Sequence, residues 1–193
     1  MDMVMRDKPI AAGKSSFDLV DTDTVYRELG LGPGMVLVDI ASGAGNYTFP
    51  AAAIVGPRGA VHAVDLWREG IESLASYARE RGLDNIHPAV TDVSEDIPLE
   101  DGAADACLIA TALHDLVEDG AGAGTLREAA RVLKTGGRLT VVEFNKTGGP
   151  PGPPQHVRLS PQELDDLVAP FGFSKVGTVS TGEHTYATTY LRD

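Results

Sequence analysis

Apolar positions along the chain follow two periods that take turns. "GMVLVDI" sets branched apolar residues side by side, which predicts a short strand covered on both faces, as in the middle of a parallel sheet. Elsewhere the apolar residues spread to helical spacing. Val25, Tyr26 and Leu29 share a face in "DTDTVYRELGL", which has acids at its start, and Ile71, Leu74, Ala75 and Ala78 share one in "EGIESLASYARERGL". "GAVHAVDLW" predicts a second strand ending in an acid, and "NIHPAVTD" a third, weakened by Pro88. "DACLIATALHDL" reads as a fourth strand running on to His114 and Asp115, and "RLTVVEF" as a fifth ending at Glu143.

Local signals set the helix ends. A helix follows the glycine-rich turn after the first strand, and Pro50 must lie in its first turn, where proline is tolerated. In "TLREAARVLKTGG", Thr125-x-x-Glu128 predicts a capping box and Gly136 and Gly137 the close. In "SPQELDDLVAP", Ser160 is the cap, Pro161 the first helical residue and Glu163 the closing acid. "FSKVGTVS" and "TYATTYLR" read as two final strands.

Strands alternating with helices predict an α/β fold, a Rossmann-like, doubly wound, mostly parallel sheet. It should hold about seven strands and end in a C-terminal antiparallel hairpin at or near one edge. Residues 1–193 are expected to form one domain, with residues 1–16 as a flexible arm or lid. Residues 145–159 form a Pro- and Gly-rich loop long enough to roof a pocket. In such sheets ligands bind at the carboxyl ends of the strands, near the point where strand order reverses.

That places a ligand at "VLVDIASGAGNYTFPAA". Asp39 ends the strand, and Gly43 and Gly45 let the backbone approach a ligand closely. The dinucleotide fingerprint fails, because its third glycine position is Thr48, and no Gly-Lys-Ser/Thr follows to make a phosphate-binding P-loop. Asp65, after the second strand, can accept from two ribose hydroxyls, and Asp92, after the third, from an exocyclic amine such as that of adenine. Each acid alone is an ordinary turn residue; three after successive strands point to a nucleoside.

Charge and cysteine narrow the partners. The net charge is −12, with 16 Lys and Arg against 28 Asp and Glu, which disfavours nucleic acid and favours a small molecule. The single cysteine, Cys107, excludes an internal disulfide and a thiolate cluster, and its apolar surroundings predict a buried thiol. No apolar run is long enough for a membrane span and the N-terminus lacks a signal-peptide pattern, so a cytoplasmic location is expected.

These segments together resemble the class I S-adenosylmethionine-dependent methyltransferases over roughly residues 17–192, in particular small type-11 or menaquinone-biosynthesis-methylase-like members. "VDIASGAG" resembles the family's first motif, "VHAVDLW" its ribose acid, "VTDVSEDIP" its adenine-side acid, and "VLKTGGRLTVVEF" its post-motif. Ala41 stands where the family has a glycine. The resemblance implies S-adenosylmethionine as cofactor and S-adenosylhomocysteine as product. It implies contacts from Asp39, Ala41, Gly43 and Gly45 to the methionine end, from Asp65 and the adjoining Leu66 to the ribose, and from Asp92 and the adjoining Val93 to the adenine.

Methyl transfer from a sulfonium is an in-line displacement, so the protein mainly aligns the acceptor and excludes water. A base is needed only where the acceptor loses a proton. His114, Asp115 and Glu143 are the catalytic candidates, at the ends of the fourth and fifth strands; each is equally readable as a strand-end residue. His156 reads as an exposed loop residue. These residues lack His-x-x-x-His spacing, and no metal site is expected. A nicotinamide-dependent oxidoreductase and a non-catalytic S-adenosylmethionine-binding protein remain as alternatives.

Overall fold

The computed structural model describes residues 12–193. The apolar runs become β1 (Val36–Ile40), β2 (Ala60–Asp65), β3 (Ile86–Val90), β4 (Ala104–Ala110) and β5 (Leu133–Phe144), followed by β6 (Phe173–Ser180) and β7 (Thr185–Arg192). They form one sheet in the order β3-β2-β1-β4-β5-β7-β6. The first five strands are parallel, while β7 runs antiparallel between β5 and β6. The expected C-terminal hairpin is therefore inserted: β7 pairs with β5, and β6 takes the edge. Pro88 is accommodated because β3 is the opposite edge, where a missing ladder donor is tolerated.

Among the described residues six α-helices flank the sheet: α1 (Thr22–Glu28), α2 (Thr48–Val55), α3 (Arg68–Arg81), α4 (Leu113–Glu118), α5 (Gly122–Val132) and α6 (Pro161–Val168). Alternation along the strands sends side chains to two cores. Leu37 of β1 and Leu108 of β4 pack with Val25, Ala51, Val55 and Leu74 of α1–α3. Val38, Cys107 and Ile109 pack on the other face with Leu126, Ala129 and Leu164 of α5 and α6. Each fully buried Leu or Ile is worth about 1.5–3 kcal/mol against exposure. Cys107 is buried as expected, and that burial pushes its thiol well above the usual range.

The α6 signals hold: Ser160 accepts from the Glu163 amide, the Glu163 carboxylate accepts from the Ser160 amide, and Pro161 opens the helix. Two other boundaries differ from the sequence expectation. The fourth strand stops at Ala110, because Thr111 turns to φ 50°, and "LHDLVE" forms α4. His114 and Asp115 therefore stand in the first turn of a short helix, not on a strand. Likewise Thr125 does not cap a helix. The helix begins at Gly122, with Gly122 tight against Val117 and Gly124 tight against Ser94, so small residues let it start earlier. Thr125 donates to the Ala121 carbonyl from inside the helix, and Glu128 accepts from the Ile97 amide and from Arg131. The helix ends at Val132, before Gly136 and Gly137, because Leu133 already pairs with Ala104; the register then shifts before Arg138 pairs with Ala106.

Of the N-terminal arm, residues 1–11 lie outside the described residues. Residues 12–16 run to a fixed point at Ser16. Its hydroxyl is 2.8 Å from both the Tyr47 hydroxyl and Thr111 Oγ1.

Candidate active site at the carboxyl ends of the strands

Strand order reverses between β1 and β4, and the chain leaves both strands by the same device. Ala41 after β1 has φ 58° and Thr111 after β4 has φ 50°; among the described residues these are the non-glycine positions with positive φ. For a β-branched threonine that conformation is strained, and such strain gathers at functional sites.

The first half of the site grows from β1 and β2. Asp39 is buried, and its Oδ2 accepts from the Thr48 hydroxyl at 2.6 Å, which ties the start of α2 to the strand. Burial pushes its carboxyl up to about 7, against the Thr48 hydrogen bond and with help from the charge of Asp65. Thr48, where a dinucleotide site has its third glycine, thus serves the turn. Gly45 has φ 89°, and a Cβ there would lie 2.6 Å from Leu74 Cδ1, so only glycine fits.

Asp65 ends β2 and is buried. Its Oδ2 accepts from the Gly43 amide at 2.8 Å and its Oδ1 from the Trp67 amide at 2.7 Å. The carboxylate thus locks the glycine turn to β2, and each oxygen keeps a lone pair for a ligand. Leu66 beside it is 40% exposed, so an apolar side chain stands next to the carboxylate. Asp92 is exposed, and its Oδ1 accepts from the Ser94 amide and hydroxyl. The Val93 side chain is buried in the core, so its backbone is what a ligand can meet.

These residues fit a nucleoside with a polar tail. Space opens in front of Gly43, where an added Cβ would meet nothing within 4 Å. In the same turn Ser42 Oγ is buried with no hydrogen-bond partner among the described residues.

The second half grows from β4 and β5. Glu143 is fully buried, and both its oxygens go to His114: Oε1 accepts from the His114 amide at 3.1 Å, and Oε2 is 2.6 Å from Nδ1. Asp115 Oδ1 lies 3.6 Å from His114 Nε2. Burial depresses the imidazole, but the hydrogen bond and charge of Glu143, with Asp115 and Glu118, outweigh it and leave His114 above its usual value. Asp115 is raised too, by burial first and by Glu118 and Asp119; His114 and Lys14 of the N-terminal segment oppose the rise. The structure therefore brings the three catalytic candidates together. With Nδ1 facing a buried carboxylate, Nε2 is left as the basic nitrogen.

The loop after β5 holds a residue that sequence reasoning missed. Arg158 is 3% exposed, and its guanidinium is wrapped by loop carbonyls. His156 is exposed, as expected. A cavity of about 230 Å³, lined by Met35, Asp105, Lys134 and Arg138, opens near the amino-terminal ends of β1 and β5, far from these groups. Among the described residues no group of three or more His, Cys, Asp or Glu is placed to hold a metal ion, and no helix is long and apolar enough to cross a membrane.

A family described as "Methyltransferase domain" matches residues 31–182. The ubiquinone/menaquinone biosynthesis C-methyltransferase UbiE of Ectopseudomonas mendocina is 38% identical over 128 residues, covering 63% of this chain and 46% of that protein. The chain thus spans about half the length of the curated relatives it matches. A crystal structure of a SAM dependent methyltransferase from Aquifex aeolicus superposes with a TM-score of 0.84 at 27% identity, covering 93% of each chain. The [4+2]-cyclase SpnF shares the fold at a TM-score of 0.75 and 19% identity, covering 96% of this chain and 86% of that one.

Proposed function

Because the chain belongs to the methyltransferase-domain family, we propose that it moves a methyl group from S-adenosylmethionine to a small-molecule acceptor. The observation that carries this reading is the pairing of two built features at one end of the sheet. One is a buried carboxylate locked to an open glycine turn, Asp65 to Gly43; the other is a buried His114–Glu143 pair.

S-adenosylmethionine supplies an electrophilic methyl group on a sulfonium and needs no further activation. In this reading the lone pairs of Asp65 take the ribose hydroxyls, with Leu66 under the nucleoside and Asp92 and the Val93 backbone at the adenine. The turn residues Ala41, Ser42, Gly43 and Gly45 hold the methionine end, and Asp39 keeps the turn in place through Thr48. Glu143 orients the imidazole and steadies its charge, and His114 Nε2 takes the acceptor's proton. Asp115 is close enough to Nε2 to favour the protonated ring. Residues 12–16, fixed at Ser16, close over the turn and the β4 end and help exclude water. The net charge of −12 supports a small molecule over nucleic acid, and we place the reaction in the cytoplasm.

Titration calorimetry with S-adenosylhomocysteine and with NAD tests the reading. S-adenosylhomocysteine should bind and NAD should not bind comparably; tighter NAD binding would overturn it. Release of S-adenosylhomocysteine with a panel of phenols and amines then separates an enzyme from a binding protein.

A further inference from the structure

Arg158 spends its whole hydrogen-bonding capacity on one stretch of backbone. Nε donates to the Pro153 carbonyl at 2.9 Å. Nη1 donates to Asn145 and Thr147 at 3.0 and 2.8 Å, and Nη2 to Gly149 and Pro151 at 2.6 and 2.8 Å. A guanidinium has five N–H donors, so none remains for a bound anion. The acceptors are alternate residues of 145–153. The loop therefore winds round the cation with every second carbonyl turned inward, which is what lets the charge stay buried.

The wound loop reaches the reactive pair through one ring. The Arg158 guanidinium carbon lies 5.7 Å from the centre of the Phe144 ring. Gly152 is pressed on the same ring: a Cβ there would lie 2.7–3.0 Å from its carbons. Phe144 meets the His114 ring edge-on, with centroids 6.4 Å apart. It also follows Glu143, which holds Nδ1 of that histidine.

From this geometry we infer that Arg158 is a positioning residue for the acceptor half of the site. It winds residues 145–153 against Phe144, and Phe144 keeps water off the His114–Glu143 pair. The inference rests on His114 being the proton acceptor proposed above. It assigns the loop to the acceptor and not to the cofactor, since its contacts lead to β5 and α4 and not to the glycine turn. Lysine cannot replace the arginine, because one ammonium has three donors and no planar fork.

The test is a nuclear magnetic resonance titration of the His114 imidazole in wild type, Arg158→Lys and Gly152→Ala, without ligand, together with calorimetry of S-adenosylhomocysteine. Burial is what pulls His114 down, so a loosened loop should let it titrate at higher pH than in wild type. Affinity for S-adenosylhomocysteine should stay within twofold. Gly152→Ala should shift the histidine in the same direction while keeping the arginine, and it carries the test alone where Arg158→Lys does not fold. An unmoved His114 titration in a folded variant would overturn the inference, as would a tenfold loss of S-adenosylhomocysteine affinity. Wild type that fails to bind S-adenosylhomocysteine would refute the function proposed above and leave the His114 comparison readable.

Discussion

At the ends of β1 and β2 the groups that can meet a ligand are mostly those of a glycine-rich turn, with the Asp65 carboxylate, the Ser42 hydroxyl and the Leu66 side chain beside it. At the ends of β4 and β5 they are side chains packed on side chains. In the first half Asp65 bonds to amides at Gly43 and Trp67, and Asp39 is used to hold α2. In the second, His114 depends on Glu143, on Phe144, and through them on a loop wound round Arg158. A half made of backbone suits a ligand that does not change; a half made of side chains can be retuned one residue at a time. The Aquifex aeolicus methyltransferase and the SpnF cyclase share this fold, so the fold alone leaves the chemistry to such side chains.

Variants that hit one half and spare the other sharpen this contrast. His114→Ala should have the largest effect, a loss of turnover of about 10²–10⁴-fold, the usual contribution of a general base, with S-adenosylhomocysteine affinity unchanged. A rate assay beside calorimetry checks it; full turnover in the folded variant would return His114 to a purely structural role. Asp65→Ala should act on the other half. It should weaken S-adenosylhomocysteine by about 1.5–3 kcal/mol, the range for hydrogen bonds to a charged group, and leave the His114 titration where it was.

Glu143→Gln should change how stability depends on pH. His114 is raised in the folded protein above its ordinary 6.5. The Glu143–His114 attraction therefore contributes fully below pH 6.5 and is lost as pH rises through the folded value. The variant should lose about 1 kcal/mol on the acid side, the difference between a charged and a neutral hydrogen bond, and almost nothing at high pH. Melting curves across that window read this directly. Both Glu143 oxygens face His114, so the same change should leave the affinities for S-adenosylmethionine and S-adenosylhomocysteine nearly unchanged.

The smallest effect belongs to Ala41→Gly. Ala41 sits at φ 58°, where glycine is free of strain. Part of the relief is offset by glycine's greater freedom in the unfolded chain, so the gain should be below about 1 kcal/mol. A melting point that falls would show that the Ala41 methyl makes a contact worth more than the strain.

What could be read from the sequence follows the same division. The glycine turn, the acids that end β1 and β2 and the α6 cap are local patterns, and local patterns survive folding; the two final strands also form over the segments expected. The misread segments were decided by tertiary contacts. "LHDLVE" continues an apolar run, and only Thr111 turning to positive φ makes it a helix. Thr125-x-x-Glu128 has the letters of a capping box, but Gly122 and Gly124 start the helix earlier by closing on Val117 and Ser94. The His114–Glu143 contact joins residues 29 apart, so the sequence could bring them to one end of the sheet and no closer. Arg158 left no trace except that an arginine stands alone beside a Pro-rich loop, a weak signal that a buried cation would bind backbone carbonyls.

The decisive experiment is a crystal structure with S-adenosylhomocysteine bound. The ribose is expected on Asp65, the nucleoside over Leu66 with its adenine toward Asp92, and the homocysteine in the turn of Ala41–Gly45. The sulfur should face the space beside His114 Nε2. A nucleoside bound away from Asp65, or a sulfur turned away from His114, would contradict it.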